Sequence, residues 1–488
     1  MAARVNFIPW LVFAASLAVF STSRARVMDL RDRGAARAVL LAGDEPSYLL
    51  MAHSVVVDGD LNLYNNRVNR DGRFFGAPKE GGHAARRDAG KKLVYSIHTP
   101  GLPILIAPAY AAALRAGVSP RAAVCVFMNL LAALLAVNLW HFCRGLSRLA
   151  GSPSPWPPLC ATAAVMLTPP VLFYANLIYP ELPAALLILY ALRHALPSHG
   201  GAPFSAPGHS AGRSGRPRIH PPGPPLLLPS LAVAFLPWLS FRFFPPAIVL
   251  AAMLVLRGRA ARRPAPLIAA VPLLASIALF SAYQRHAFGS INPAAGYIAQ
   301  NYGERGMASR GPFDGIFGIL LDRGHGILAW SPVYLLSPAG LILLMRERRR
   351  AALWLIGLLL AVYLPGAQFV FWWGGFAPPP RYMVAPAPLL GGALCYALAR
   401  KPGRAFSAAF AALLAASILF GLLGCLHPGL LYRHRHLVTH YLPGFPIRIF
   451  PSFLKKGPLA WPLAAFWTAA VLAANTLLPL RRERPEND

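Results

Sequence analysis

The sequence predicts an all-α, polytopic integral membrane protein of about 12 transmembrane helices, with a large first external loop that carries interfacial helices. Three observations predict it. First, 56% of the 488 residues are hydrophobic and only 13% are charged, about half the roughly 25% of a soluble domain. Second, the charges are scattered between long apolar runs. An intrinsically disordered chain would be poor in apolar residues, and a nucleic-acid binder would cluster its basic residues on one soluble face. Third, most of the apolar runs are long enough to cross a bilayer.

A spanning helix needs roughly 17–25 mostly apolar residues. Runs free of Asp, Glu, Lys and Arg cover 5–23, 122–143, 157–176, 219–241, 264–284, 324–345, 351–372, 382–399, 405–426 and 457–480. Two shorter runs, 182–192 and 243–256, qualify if Arg193 and Arg257 snorkel to the interface. A further apolar run, Gly101–Leu114, is interrupted by Pro103 and Pro108 and flanked by His98, Arg115 and Arg121. It reads as a re-entrant or interfacial helix inside a first loop over 22–121. The Pro/Gly/Ser-rich segment 197–224 reads as a disordered linker in one single-domain chain. The N-terminal run also resembles a signal peptide, whose cleavage would leave the first loop on the same side.

Orientation follows from the 47 Lys and Arg residues, which far outnumber the 17 acids. With the N-terminus cytoplasmic, 21 of them fall in cytoplasmic segments, 11 in the later external loops and 15 in the long first loop. That is the positive-inside asymmetry, and it puts both termini in the cytoplasm.

The acids are then informative. Nine lie in the first loop, and Glu181, Glu304, Asp314 and Asp322 also fall on the external side. Gly43-Asp44-Glu45-Pro46 precedes an apolar segment. Asp44 could simply cap a helix with Pro46 in its first turn. Alternatively, Asp44 and Glu45 are catalytic carboxylates at the membrane surface. Glu181 lies in a short turn between two spans, where a carboxylate should face protein or water and not lipid. Asp322-Arg323 is either a surface ion pair or part of a substrate site. Arg242, and Arg381-Tyr382 beside Trp372 and Trp373, fit either snorkelling within an aromatic belt or a phosphate clamp.

Other signals are weaker. Asp58-Gly59-Asp60 begins like a calcium loop, but Leu63 occupies the required glycine position. His434, His436 and His440 share a basic loop without a carboxylate and read as interfacial or phosphate-facing. The five cysteines have no metal-type spacing. No metal ligand set is therefore expected from spacing, and no Gly-rich nucleotide loop stands out.

The order of these motifs resembles the GT-C class of polyprenyl-phosphate-sugar-dependent glycosyltransferases, closest to bacterial relatives of protein mannosyltransferases and of the lipid A aminoarabinose transferase. The resemblance rests on Asp44-Glu45 early in a large first loop, on Tyr95-Ser96-Ile97-His98-Thr99-Pro100-Gly101, and on Glu181 after the third span. It implies that Asp44, with Glu45 beside it, is catalytic. Candidate substrate-binding residues are His98, Glu181, Arg242, Asp322, Arg323, Arg381 and Tyr382. It further implies a polyprenyl-phosphate sugar donor, a lipid, glycan or protein acceptor of the envelope, and action at the external face of a bacterial cytoplasmic membrane. The second acidic turn carries a single carboxylate where the metal-dependent branch has a pair, so no cofactor is assigned and a divalent metal is in doubt. The competing readings are a transporter or flippase of a lipid-linked sugar, which would need ionisable residues near mid-membrane, and a non-catalytic envelope scaffold.

Overall fold

The computed structural model describes residues 7–32, 43–75, 83–88, 92–196, 226–260, 265–302, 311, 313–400, 402–427, 431, 449–454 and 458–477. The linker 197–224 and His434, His436 and His440 lie outside the described residues.

The chain is mostly helical. After α1 (Ile8–Asp32), the chain forms α2 (Glu45–Val57), α3 (Tyr64–Val68), a hairpin of β1 (Ala84–Asp88) and β2 (Leu93–Ser96), and α4 (Gly101–Arg115). Next come α5 (Pro120–Leu149), α6 (Trp156–Met166), α7 (Val171–Tyr174), α8 (Glu181–Ala195), α9 (Leu227–Leu239), α10 (Phe244–Ala260) and α11 (Ala265–Phe288). The second half holds α12 (Ala295–Tyr297), α13 (Asp314–Leu321), α14 (Ile327–Trp330), α15 (Ser337–Glu347), α16 (Arg349–Ala367), α17 (Ala387–Ala399), α18 (Arg404–Leu426) and α19 (Ala460–Leu477).

Among the described residues, five helical stretches are long and apolar enough to cross a membrane: Pro120–Leu149, Phe241–Gly258, Pro266–Phe288, Arg349–Ala367 and Arg404–Leu426. On α11, Leu267, Val271, Leu274 and Leu279 are all more than half exposed. An apolar face of this kind is compatible with a multi-pass membrane protein, where hydrocarbon replaces water as its neighbour. The core centres on α5, which packs against α1, α4, α6, α8 and α17 and buries Leu135, Leu139 and Trp140.

Two apolar runs are not continuous helices. The run 157–176 splits into α6 and α7 around Pro169-Pro170, and 324–345 splits into α14, a 3₁₀ turn at Pro332–Leu336, and α15. Proline lacks the N–H that would carry the helix through. Gly101–Leu114 forms the 15-residue helix α4, which rises about 22 Å, short of a roughly 30 Å hydrocarbon core. It packs on α2, α5 and α9 through Leu102, Ile106 and Tyr110.

Beside the helices, the described residues contain one two-stranded antiparallel hairpin, β1–β2. Its first strand reads Ala-Ala-Arg-Arg-Asp, without the apolar alternation that announces a strand. The hairpin sets the position of His83, immediately before β1.

Candidate functional site

Asp44 decides the site. Its backbone carbonyl accepts from the amides of Ser47 and Tyr48 to start α2, yet its side chain makes no cap. The capping expectation is therefore overturned: the carboxylate turns away from its own helix. Gly43, at φ +64°, permits this turn, and a Cβ there would stand 2.4 Å from the Tyr179 hydroxyl and 2.5 Å from the Phe376 carbonyl oxygen. Only glycine fits a left-handed residue in so close an approach.

The freed carboxylate divides its oxygens. Arg381 Nη2 lies 2.8 Å from Asp44 Oδ2, while Oδ1 lies 3.5 Å from His83 Nδ1 and 3.6 Å from His98 Nε2. The two imidazole nitrogens are 3.2 Å apart. Behind them, Glu181 Oε1 accepts from Arg381 Nε at 2.8 Å and from Arg242 Nη2 at 2.7 Å. Both guanidiniums stack on tyrosines, Arg242 over Tyr382 at 4.3 Å and Arg381 over Tyr179 at 4.5 Å. The Gly374 carbonyl accepts Arg381 Nη1 at 3.5 Å. These groups border a cavity of about 320 Å³ whose walls include Asp44, His83, His98, Arg242, Arg381 and Tyr382.

Electrostatics follow from this geometry. Burial alone would push the Asp44 carboxyl up, but Arg381, then His98 and His83, outweigh it and hold it well below the usual carboxylate range. Glu181 behaves alike: burial opposes its charge, and Arg381 and Arg242 lower its affinity for a proton all the same. His98 goes the other way. Burial lowers it to about 4 despite the pull of Asp44, so at neutral pH its ring is uncharged and can offer a lone pair.

Six of the nine residues singled out from the sequence meet here: Asp44, His98, Glu181, Arg242, Arg381 and Tyr382. The other three do not. Glu45 is buried away from the cavity, where Oε2 lies 3.3 Å from Arg121 and Oε1 accepts the Ile178 amide at 2.9 Å. It fastens α2 to α5 and to the turn before α8, so its geometry is structural. Asp322 accepts the amides of Gly324, His325 and Phe453 at 2.8–3.0 Å. Arg323, whose amide donates to Pro451, is likewise off the cavity wall.

Sequence reasoning missed His83 and Tyr297. Tyr297 lies beyond α11 with its hydroxyl 3.2 Å from His98 Nδ1. The aromatic walls Phe241, Phe369, Phe371 and Phe376 were also unassigned. The nearest signal was the density of aromatic residues around 369–382.

Chemically, the cavity offers a carboxylate that stays ionised, two guanidiniums for an anion, aromatic faces for an apolar or sugar ring, and two histidines with Asp44 as possible metal ligands. Compared with known protein families, curated proteins and solved structures, the chain matches none.

Proposed function

We propose that this protein is a membrane glycosyltransferase of twelve spans. It transfers a sugar from a polyprenyl-phosphate donor to an envelope lipid, glycan or protein at the external face of the bacterial cytoplasmic membrane. The observation that carries the reading is the single cavity on which Asp44, Arg242 and Arg381 converge.

Transfer to a hydroxyl needs a proton acceptor beside the incoming oxygen and positive charge where the departing phosphate gains its negative charge. Asp44 supplies the first. Held ionised by Arg381, it is a weak base, suited to take the proton late, as the glycosidic bond forms and the hydroxyl becomes acidic. Arg242 and Arg381 supply the second, with Glu181 fixing both guanidiniums. The aromatic walls accommodate the sugar and the start of the prenyl chain.

Residue placement supports the orientation. The cavity draws on 43–44, 83–98, Arg242, Tyr297 and 369–382, segments that the basic-residue asymmetry assigns to one side or to the span ends there. Segments assigned to the opposite side also meet one another. Glu347 pairs with Arg400 at 3.1 Å, Arg400 donates to the Ala150 carbonyl, and Arg257 donates to the His194 and Leu196 carbonyls.

The test has two arms. A deletion strain should lack one glycosylated envelope component in its lipid and glycan profile. Purified protein in lipid nanodiscs should move labelled sugar from a polyprenyl-phosphate donor to an extract of that strain, and Asp44→Asn should not. An unchanged profile together with an active Asp44→Asn variant would defeat the proposal.

A further inference from the structure

The Asp44–His83–His98 cluster carries more than a hydrogen-bond network. Asp44 Oδ1, His83 Nδ1 and His98 Nε2 form a triangle with edges of 3.5, 3.6 and 3.2 Å. The line of points equidistant from three atoms so spaced passes about 2.0 Å from each in their plane, and a point slightly off that plane lies about 2.1 Å from each, which is within the zinc–imidazole range. A tetrahedral ion with bonds of about 2.0–2.1 Å has its ligands about 3.3–3.4 Å apart; an octahedral ion with bonds of about 2.1 Å has them about 3.0 Å apart. The observed edges suit the tetrahedral case. Two imidazoles and one carboxylate are also the donor set of zinc and its neighbours in the first transition row, and not of magnesium or calcium.

The surrounding groups are those a metal site requires. With Nε2 facing the ion, His98 carries its proton on Nδ1 and donates to the Tyr297 hydroxyl at 3.2 Å, which sets tautomer and ring orientation. Arg381 occupies Asp44 Oδ2 and leaves Oδ1 for the ion. His83 is anchored through its backbone amide, which donates to Ser47 Oγ at 2.8 Å, while its side chain is 44% exposed toward the opening. Two carboxylates and two guanidiniums cancel locally, so the charge of the ion is left for an anion in the cavity to balance.

We infer that His83, His98 and Asp44 bind one divalent zinc-class ion, with its fourth position open to the cavity. An oxygen of an anion or hydroxyl held by Arg242 would complete the tetrahedron. This inference goes beyond the transfer reading and does not depend on it.

The experiment uses full-length protein, free of any polyhistidine tag, in lipid nanodiscs without a sugar donor. It is loaded with zinc, desalted and analysed for metal by mass spectrometry, and its affinity is read by competition with a chromophoric chelator. One zinc per chain is expected, and cobalt loading should give the intense visible absorption of a four-coordinate ion. His83→Ala and His98→Ala should lose the ion, with affinity falling beyond the roughly 10–100-fold that outer-sphere changes cost. Tyr297→Phe should keep it, bound about 10-fold more weakly. Replacing His434, His436 and His440 together by Ala should leave the stoichiometry at one. His83→Gln, mild at a half-exposed position, serves if the alanine variant fails to fold. No retained zinc in the parent protein, or full occupancy in folded His83 and His98 variants, would overturn the site. Either result would leave the donor-dependent transfer assay to be judged separately.

Discussion

Asp44 and Asp322 are built from the same ingredients: each is a buried aspartate beside a histidine and near tryptophans or tyrosines. They do opposite things. Asp322 gives both carboxylate oxygens to backbone amides of its own turn and of Phe453, so its charge is consumed in holding chain to chain. Asp44 gives its carboxylate none of that work. Its partners are side chains from three other regions, at His83, His98 and Arg381, and they meet at an open cavity. A buried acid satisfied by local amides is part of the scaffold. One satisfied by distant side chains that a ligand could rearrange belongs to a site.

This contrast sets the order of effects that mutation should reveal. Asp44→Asn is expected to cut transfer about 10²–10⁴-fold, the usual worth of a positioned proton acceptor, in protein that elutes and unfolds like the parent. Arg242→Gln should lower the rate about 10²-fold, as loss of one charge-stabilising donor does, measured by single-turnover transfer at saturating donor. Asp322→Ala should do the reverse: a loss of about 3 kcal/mol in unfolding free energy from three orphaned amides, with the rate per folded molecule unchanged. Glu45→Gln is the mildest. The amide still accepts from Ile178, so leaving buried Arg121 without its counter-charge should cost about 2 kcal/mol, below the roughly 3–5 kcal/mol of a fully broken buried pair. If Asp322→Ala abolished transfer in stable protein, the contrast would fail.

Much of this was legible in the sequence. Apolar length marked the helical runs, and the rarity of acids pointed to Asp44 and Glu181. Arg242 and Arg381, at the ends of apolar runs, read either as snorkelling side chains or as a phosphate clamp, and the structure brings both to the cavity. What stayed hidden depended on direction and not on composition. Asp44 and Glu45 are adjacent and chemically alike, and only the positive φ at Gly43 and the start of α2 send one carboxylate to the cavity and the other to Arg121. His83 was invisible because a strand of Ala-Ala-Arg-Arg-Asp has no readable period. The hairpin alone brings it 3.2 Å from His98, fifteen positions later. The proline breaks within 157–176 and 324–345 escaped notice because hydropathy measures solvent preference and not helix continuity.

The shared oxygen of Glu181 has a consequence of its own. Arg242, Glu181, Arg381 and Asp44 form a chain of alternating charge with links of 2.7, 2.8 and 2.8 Å. An anion that draws Arg242 toward itself leaves Glu181 to pull harder on Arg381. Arg381 then relaxes its hold on Asp44, and the proton affinity of that carboxylate rises. Under the proposed transfer reaction, this chain would act as a relay, so that an anion arriving at Arg242 raises the proton affinity of Asp44 at the other end. On that proposal the anionic substrate would be taken before the hydroxyl.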